Sequence, residues 1–544
     1  MKPGEGDGSN LGYSYYMPKG GLLRLKSLCT FNCCDLFGVF NRYLAPAYHH
    51  DRCERSVQMK LYTMHKREFV VIFMGFFVAL GLVVFIGLVG PPITWTYERQ
   101  ASHLNITDMA AGPFGLKSPS FSTYHQQVWL ITKIDTAKRD DEAFEKTFMM
   151  SLDLFGISEG RVLKLFELPT ERSRRLNCPN SGDCQPITLL HLGFVDFPKY
   201  FVAVSFSGLE SVRERYKIKD IHFFFKTYNP SFTQMEMSFR FIYASASFAV
   251  TCWFMYVLRK YLMSDWSIEQ KWMAILLPLL FLYNNPAFPL MFLINSTFPG
   301  MMDAIFQVTF LSALFLFWLS IYHGLRQVER RFLTFYLPKL VLVGSLWLSA
   351  IILASWQKLN TTRDPTYSYI LDATKFNNLK NFFLVCGATY FLYLVYLILK
   401  AYSDLRSMPY FDLRLKFLTG LMLIVLKVSM LVTYFRFGMD VLEDHFVADL
   451  STKYTSSAEF MSFYGLLNFY VFTMVFVYSP SSSATLNNSS LTITKDNPSF
   501  SMVNDSDEDV IYGSDDEDET KAPLNNNSRC RSTPIPAHQG DDSD

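Results

Sequence analysis

The sequence predicts an α-helical multi-span membrane protein: an N-terminal anchor helix, a lumenal β-sandwich and a seven-helix transmembrane bundle. Three observations carry this. Eight apolar stretches are long enough to cross a bilayer, which takes roughly 20 residues. Seven of them crowd the second half of the chain, and a long polar-and-aromatic segment with period-two alternation separates them from the first. Lys and Arg gather at alternate ends of the stretches, as the positive-inside rule requires. The composition agrees: 544 residues, 50% apolar, 16% aromatic and 18% charged, against about 25% charged in a soluble domain. A net charge of +1 gives no footprint for nucleic acid. The 51 Phe and 30 Tyr exclude a uniformly disordered chain, and nine Cys are too few for a disulfide scaffold.

Residues 1–68 form a cytoplasmic N-terminal extension. Leu22, Leu23, Arg24, Leu25 and Lys26 lead into Cys29, Cys33 and Cys34. Clustered Cys among basic and apolar residues near a membrane are acylation candidates. Two other readings stand beside this, an unstructured extension and a zinc site at His49, His50 and Cys53, whose spacing fits no standard pattern. Residues 69–89 are the signal anchor. Phe69 to Val89 carries no charge and exceeds the usual 7–15-residue core of a cleaved signal peptide. Arg52, Arg55, Lys60, Lys66 and Arg67 precede it and place the N-terminus in the cytoplasm.

Residues 90–238 are long enough for a domain with its own core. The runs Gln126 to Ile134, Tyr200 to Phe206 and Ile218 to Thr227 alternate and are rich in β-branched and aromatic residues, so they read as strands of a sandwich. Cys178 and Cys184 flank a turn-rich Pro-Asn-Ser-Gly-Asp and are expected to pair in an oxidising lumen.

The seven remaining spans, Phe241–Leu258, Met273–Ile294, Ala304–Tyr322, Phe335–Trp356, Asn381–Leu399, Phe417–Phe435 and Met461–Tyr478, fill residues 239–478. Eight spans put both termini in the cytoplasm. The loop after Trp356 breaks the charge trend, with Lys358, Arg363, Lys375 and Lys380 on the lumenal side. Acceptor triplets at Asn105, Asn295 and Asn360 are all lumenal in this topology and are glycosylation candidates, although Asn295 and Asn360 lie close to span ends. Polar residues within spans are costly and point to function or structural pairing. Tyr283-Asn284-Asn285-Pro286 should break or kink the third span, because Pro removes a backbone donor. Asn284, Asn285 and Pro286, with Lys427 near the middle of the seventh span, are therefore the intramembrane cavity candidates. Lys427 is expected to face inward with a partner. Asp303, opening the fourth span, is accounted for by the positive end of a helix.

Glu269-Gln270-Lys271-Trp272, the Tyr283 to Pro289 break, Met408-Pro409-Tyr410, the run Asp412 to Phe417 and Phe463 to Asn468 resemble the transmembrane protein 181 family. The resemblance runs from about Met59 to Ser514. More remotely, Asn468 to Phe472 with Tyr478-Ser479-Pro480 is similar to Wntless, which carries a lipidated secreted protein through the secretory pathway. The resemblance implies a lumenal GOLD-like β-sandwich before seven spans, and it suggests cargo handling. No cargo-contact residue carries over.

Residues 479–544 form an acidic cytoplasmic tail without apolar periodicity, expected to be disordered. Asn497, Pro498 and Phe500 resemble an N-P-x-F turn signal for sorting adaptors, and Ser506 and Ser514 precede acidic residues that an acid-directed kinase would read; a solvated acidic spacer is the other reading of the tail.

No constellation of acid, base and nucleophile is visible, so no enzyme and no cofactor are expected. The partners implied are the bilayer, a secreted or lumenal protein ligand, sorting adaptors, and lipid in the bundle cavity; no nucleic acid is implied. The first functional reading is a receptor-like membrane protein that binds such a client and supports its trafficking, in the Golgi and endosomes or at the plasma membrane. A cell-surface signalling receptor for a protein or lipid ligand is the alternative, disfavoured by the lack of a D-R-Y triplet. A transporter or channel lacks visible inverted repeats.

Overall fold

The computed structural model describes residues 57–103, 110–137, 144–165, 171–178, 184–210, 212, 217–294, 296, 298–325, 332–367, 377–405, 409–437, 454 and 456–481. The acylation candidates Cys29, Cys33 and Cys34, the acceptors Asn105 and Asn295, and the tail candidates Asn497, Pro498, Phe500, Ser506 and Ser514 lie outside the described residues.

The described chain is an apolar N-terminal helix, a β-sandwich and a helical domain, in that order. Helix α1 (Lys66–Val89) holds the uncharged apolar run. Nine strands follow among the described residues. They are β1 (Thr94–Gln100), β2 (Phe114–Lys117), β3 (Val128–Ala137), β4 (Phe144–Ser158), β5 (Arg161–Lys164), β6 (Arg172–Cys178), β7 (Ile187–Leu192), β8 (Lys199–Ser207) and β9 (Lys217–Tyr228). The antiparallel sheet β1-β9-β3-β7 faces a second, β2-β8-β4-β5, with β6 paired to β4. Alternation decides which side chains fill the space between them. Phe148, Met150, Leu152 and Leu154 of β4 meet Val202, Val204 and Phe206 of β8, and Ile221, Phe223 and Phe225 of β9 close from the other sheet. The Cys178–Cys184 disulfide closes the turn after β6.

Seven long helices come next among the described residues: α2 (Pro230–Leu258), α3 (Ile268–Tyr283), α5 (Phe298–Gly324), α6 (Leu337–Arg363), α7 (Asn377–Leu405), α8 (Pro409–Phe437) and α9 (Ser457–Tyr478), with the single turn α4 (Leu290–Leu293) between α3 and α5. Six helices among the described residues, α1 included, are long and apolar enough to span a bilayer. The third span is broken as expected: α3 stops at Tyr283, and Asn285 takes a positive φ of 49°. Helix α2 starts earlier than the apolar run does. Residues 230–238, assigned to the lumenal domain by their polarity, are helical, because Asn229 caps the helix through Ser231 and Pro230 suits its first turn.

Helices α1 and α9 run against each other over their full length. Gly87 sits against the backbone of Ala458, and Gly465 against Val83, so small residues set the close approach. Ser457 donates to the Pro91 carbonyl at the sandwich end. At the far end Met59 bridges Pro480, and the Lys60 N–H donates to Ser479 O at 2.9 Å. Both ends of the described chain therefore meet on the face opposite the sandwich. The Glu269-Gln270-Lys271-Trp272 string is buried there: Ser267 and Gln270 form a capping box, and Gln270 Nε2 donates to Tyr478 O at 3.0 Å.

A polar junction between sandwich and bundle as the candidate functional site

The sandwich rests on the bundle through three contacts. The turn Thr123–His125 lies on α2, where the Thr233 hydroxyl donates to Tyr124 O at 2.8 Å. His125 is enclosed here. Burial lowers its pKa, and the Ser122 carbonyl partly offsets that. The second contact seats the turn after α6 on the edge of the sandwich. Arg172 pairs with Asp364, Arg174 donates to Thr366 O, and His191 N–H donates to Pro365 O at 2.7 Å. This docking puts the end of α6, with Lys358 and Arg363 of the loop that broke the charge trend, on the sandwich side. The third contact is Tyr124 against Phe292, ring centroids 5.7 Å apart.

Beneath these contacts is a buried ionic network. Arg240 of α2 is 4% exposed. Its guanidinium donates to Glu236 Oε1, one turn back, at 3.0 Å and to Asp303 Oδ1 of α5 at 2.8 Å. It also lies over the rings of Phe288 (4.2 Å) and Tyr464 (5.0 Å). Three of the four carboxylate oxygens take a further donor. Asn285 Nδ2 donates to Asp303 Oδ1 at 2.8 Å, Gln307 Nε2 to Asp303 Oδ2 at 2.9 Å, and Gln126 Nε2, from the sandwich, to Glu236 Oε2 at 3.1 Å. A buried ion pair is tolerable when its remaining lone pairs are satisfied this way. Gln126 reaches down because its φ of 53° turns the chain toward the bundle before β3. One step deeper, Asn284 and Asn468 of α9 exchange amide hydrogen bonds at 2.8 and 3.0 Å, and Asn468 also donates to Tyr464 O. Tyr283 packs on Tyr464 and Phe310 beside them.

A crevice opens next to the network, between the modules. Thr123, Gln126 and residues 193–195 line it from the sandwich, and Phe292, Gly300 and Lys358 from the bundle. Lys358 Nζ lies 3.4 Å from where a side chain on Gly300 would start. The crevice is thus part aromatic, part amide and part cationic.

Of the cavity candidates, Asn284 and Asn285 belong to this network. Pro286 is exposed and serves only to end the helix. Lys427 is a correction. It is exposed on the outer side of α8, because that helix packs through Leu418, Leu421, Met422 and Val425, and a residue two beyond Val425 falls on the opposite face. Lysines enclosed among the helices include Lys271 and Lys339, the latter donating to Phe335 O at 2.6 Å. Asp303 is a second correction. It is more than a residue suited to a helix start, since four side-chain donors converge on it. Asn360 lies within α6 with its amide nitrogen buried. Among the described residues, no group of His, Cys, Asp and Glu is arranged to hold a metal.

Sequence reasoning missed Gln126, Glu236, Arg240, Gln307 and Lys358. The Glu236/Arg240 and Asp303/Gln307 pairs each recur at i, i+4 at the lip of a span, which was the available signal. Nothing local marks Gln126.

Two family models match the chain: "TMEM181, GOLD domain" over residues 112–228 and "Wntless-like, transmembrane domain" over residues 229–482. Human transmembrane protein 181 is 48% identical over 88% of this chain and 98% of its own length. Protein wntless homolog B of Xenopus laevis is 25% identical over 66% of this chain and 72% of its own length. The rat protein wntless homolog is 24% identical over 67% and 74%.

Proposed function

Because the chain belongs to the transmembrane protein 181 family, a GOLD sandwich joined to a Wntless-like membrane domain, we propose that it is a receptor for a secreted or lumenal client. The client is held at the sandwich–bundle junction, and the protein supports its passage through the secretory and endosomal pathway. The observation that carries this reading is the crevice walled by both modules, next to a network in which the sandwich's Gln126 is bonded to the bundle's Glu236. A client seated there touches the soluble domain and the spans together, so its binding is coupled to how they dock. Phe194 and Phe292 offer apolar area, and Lys358 selects for an acidic or carbonyl-rich segment. In this reading both termini are cytoplasmic, and the bridge between Met59 and Pro480 at the end away from the sandwich supports it. The acidic tail, with Asn497, Pro498 and Phe500 and the Ser506 and Ser514 sites, then engages adaptors that set residence between Golgi, endosome and plasma membrane.

The test is recovery of the tagged full chain from cells and identification of secreted proteins retained with it. Phe194→Ala and Lys358→Glu should each reduce the retained client severalfold while thermal unfolding of the purified protein stays within a few degrees of the parent. Retention that is unchanged in both variants, or no secreted protein above background, refutes the assignment.

A further inference from the structure

A second crevice lies at the opposite end of the bundle, and nothing in the receptor reading uses it. Lys60, Trp253, Val257, Lys260, Tyr261 and the segment Ser479–Ser481 line it. Three chain segments build it: the strand-like approach to α1, the last turns of α2, and the exit from α9. Lys60 is fixed from both sides. Its N–H donates to Ser479 O, Ser481 N–H donates to Gln58 O at 3.0 Å, and its neighbour Leu61 is fully buried. The ammonium lies 4.5 Å above the Phe476 ring and 5.6 Å from that of Trp253.

Among the described residues, neither Lys60 nor Lys260 has a carboxylate within ion-pair distance. Asp265, in the adjoining turn, is held by the Ser264 hydroxyl and pairs with neither. Partial burial lowers the pKa of Lys60, which marks a cation stripped of water with no anion returned. The walls below the lysines are apolar and open sideways: Trp253 is 41% exposed and Phe476 43%. They sit at the ends of spanning helices, where aromatic rings meet the headgroup level of a bilayer. Two lysines and exposed rings lining one crevice with a lateral opening match one shape of ligand, an anionic head on an apolar tail.

We propose that this crevice is a docking site for the phosphate-bearing headgroup of an anionic membrane lipid, with its acyl chains lying along Trp253 and Phe476. Basic pockets between spanning helices recognise such heads. The lipid bridges α2, α9 and the segment before α1, so it clasps together the two ends of the membrane domain. The competing occupant is the chain's own acidic run, Asp505 to Glu519, since the chain leaves the crevice at Ser481. The exposed rings favour the lipid, because an acidic peptide has no use for them.

The experiment uses the full chain in phosphatidylcholine vesicles doped with spin-labelled phosphatidylserine or spin-labelled phosphatidylcholine, reading the motionally restricted fraction. The parent should select the anionic lipid. Lys60→Gln and Lys260→Gln should each cut that selectivity about fivefold, and the pair should abolish it. Lys400→Gln, an exposed lysine elsewhere, should leave it intact, as should removal of residues 505–519. Millimolar inorganic phosphate should compete weakly; full displacement by it would assign the site to a free anion and overturn the lipid. Equal restriction of both lipids in the parent, selectivity retained in the double variant, or selectivity that arises only after residues 505–519 are removed would also overturn it.

Discussion

Arg240→Met severs the ionic junction at its centre. The side chain keeps most of its apolar stem, so packing against Phe288 and Tyr464 is largely retained and the loss is electrostatic. The guanidinium makes contacts of 3.0 and 2.9 Å to Glu236 and of 2.8 and 3.4 Å to Asp303, all within a site where Arg240 and Glu236 are almost fully enclosed. Removing it leaves the buried Glu236 carboxylate and the part-buried Asp303 carboxylate facing each other with only amide donors. Breaking a buried pair from one side costs about 3–5 kcal/mol, because the charge left behind is uncompensated. Arg240→Lys should cost about 2 kcal/mol. One ammonium cannot present the planar fork that reaches both carboxylates, so one of them loses its partner. The triple variant Glu236→Gln/Arg240→Met/Asp303→Asn leaves no charge unpaired and should recover to within ~1.5 kcal/mol of the parent. Titration of the purified protein from mild detergent into SDS, followed by tryptophan fluorescence, gives these differences. A single Arg240→Met variant as stable as the parent, or a triple variant no better than that single, would refute the view that the network holds the junction.

Three further outcomes follow from other sites. Asn284→Leu should destabilise by about 1–3 kcal/mol by leaving Asn468 unsatisfied, whereas adding Asn468→Leu should return part of the loss; a double-mutant cycle with no coupling contradicts the amide exchange. His125 has a pKa held below its ordinary 6.5 by burial. Below pH 6.5 the unfolded chain therefore binds the extra proton first, and the sandwich should lose stability as pH falls from about 6.5, by at most ~1.4 kcal/mol per pH unit. His125→Gln should flatten that slope in thermal unfolding. A methyl on Gly87 would begin 2.6 Å from Ala458 Cα, so Gly87→Ala should cost about 1–3 kcal/mol by prising α1 from α9. Gly81→Ala, with open space around it, should be neutral in the same SDS titration.

What the sequence made legible were features set by local pattern. Uncharged apolar runs give spans such as α1, and strict alternation gives β3, β8 and β9, since each depends only on how the chain meets hydrocarbon or a sheet face. The junction was obscured by the same logic. Glu236 and Arg240 made the first two turns of α2 look like lumenal domain, because a charge pair that cancels itself inside a helix is indistinguishable from a solvated one until its partner is known. That partner, Asp303, is 63 positions away. Lys427 misled in the opposite direction: its depth along the chain was readable, but its azimuth depended on which face of α8 packs. Asn284 and Asn285 were found because a helix break advertises itself in the residues that cause it.

The pairing of α1 with α9 sets a timetable for synthesis. Pro91 and Ser457, joined by a hydrogen bond, are 366 residues apart. At about 5–20 residues per second, roughly 20 to 70 s separate the appearance of the first helix from that of the helix that covers its glycines. Throughout that interval α1 has lipid or a helper protein where α9 will lie, and the sandwich must fold above a membrane domain that is still open. A chain cut short before Ser457 would present an anchor with a bare packing face. Quality control that recognises unpaired membrane helices would thus read the completeness of this protein from its first helix.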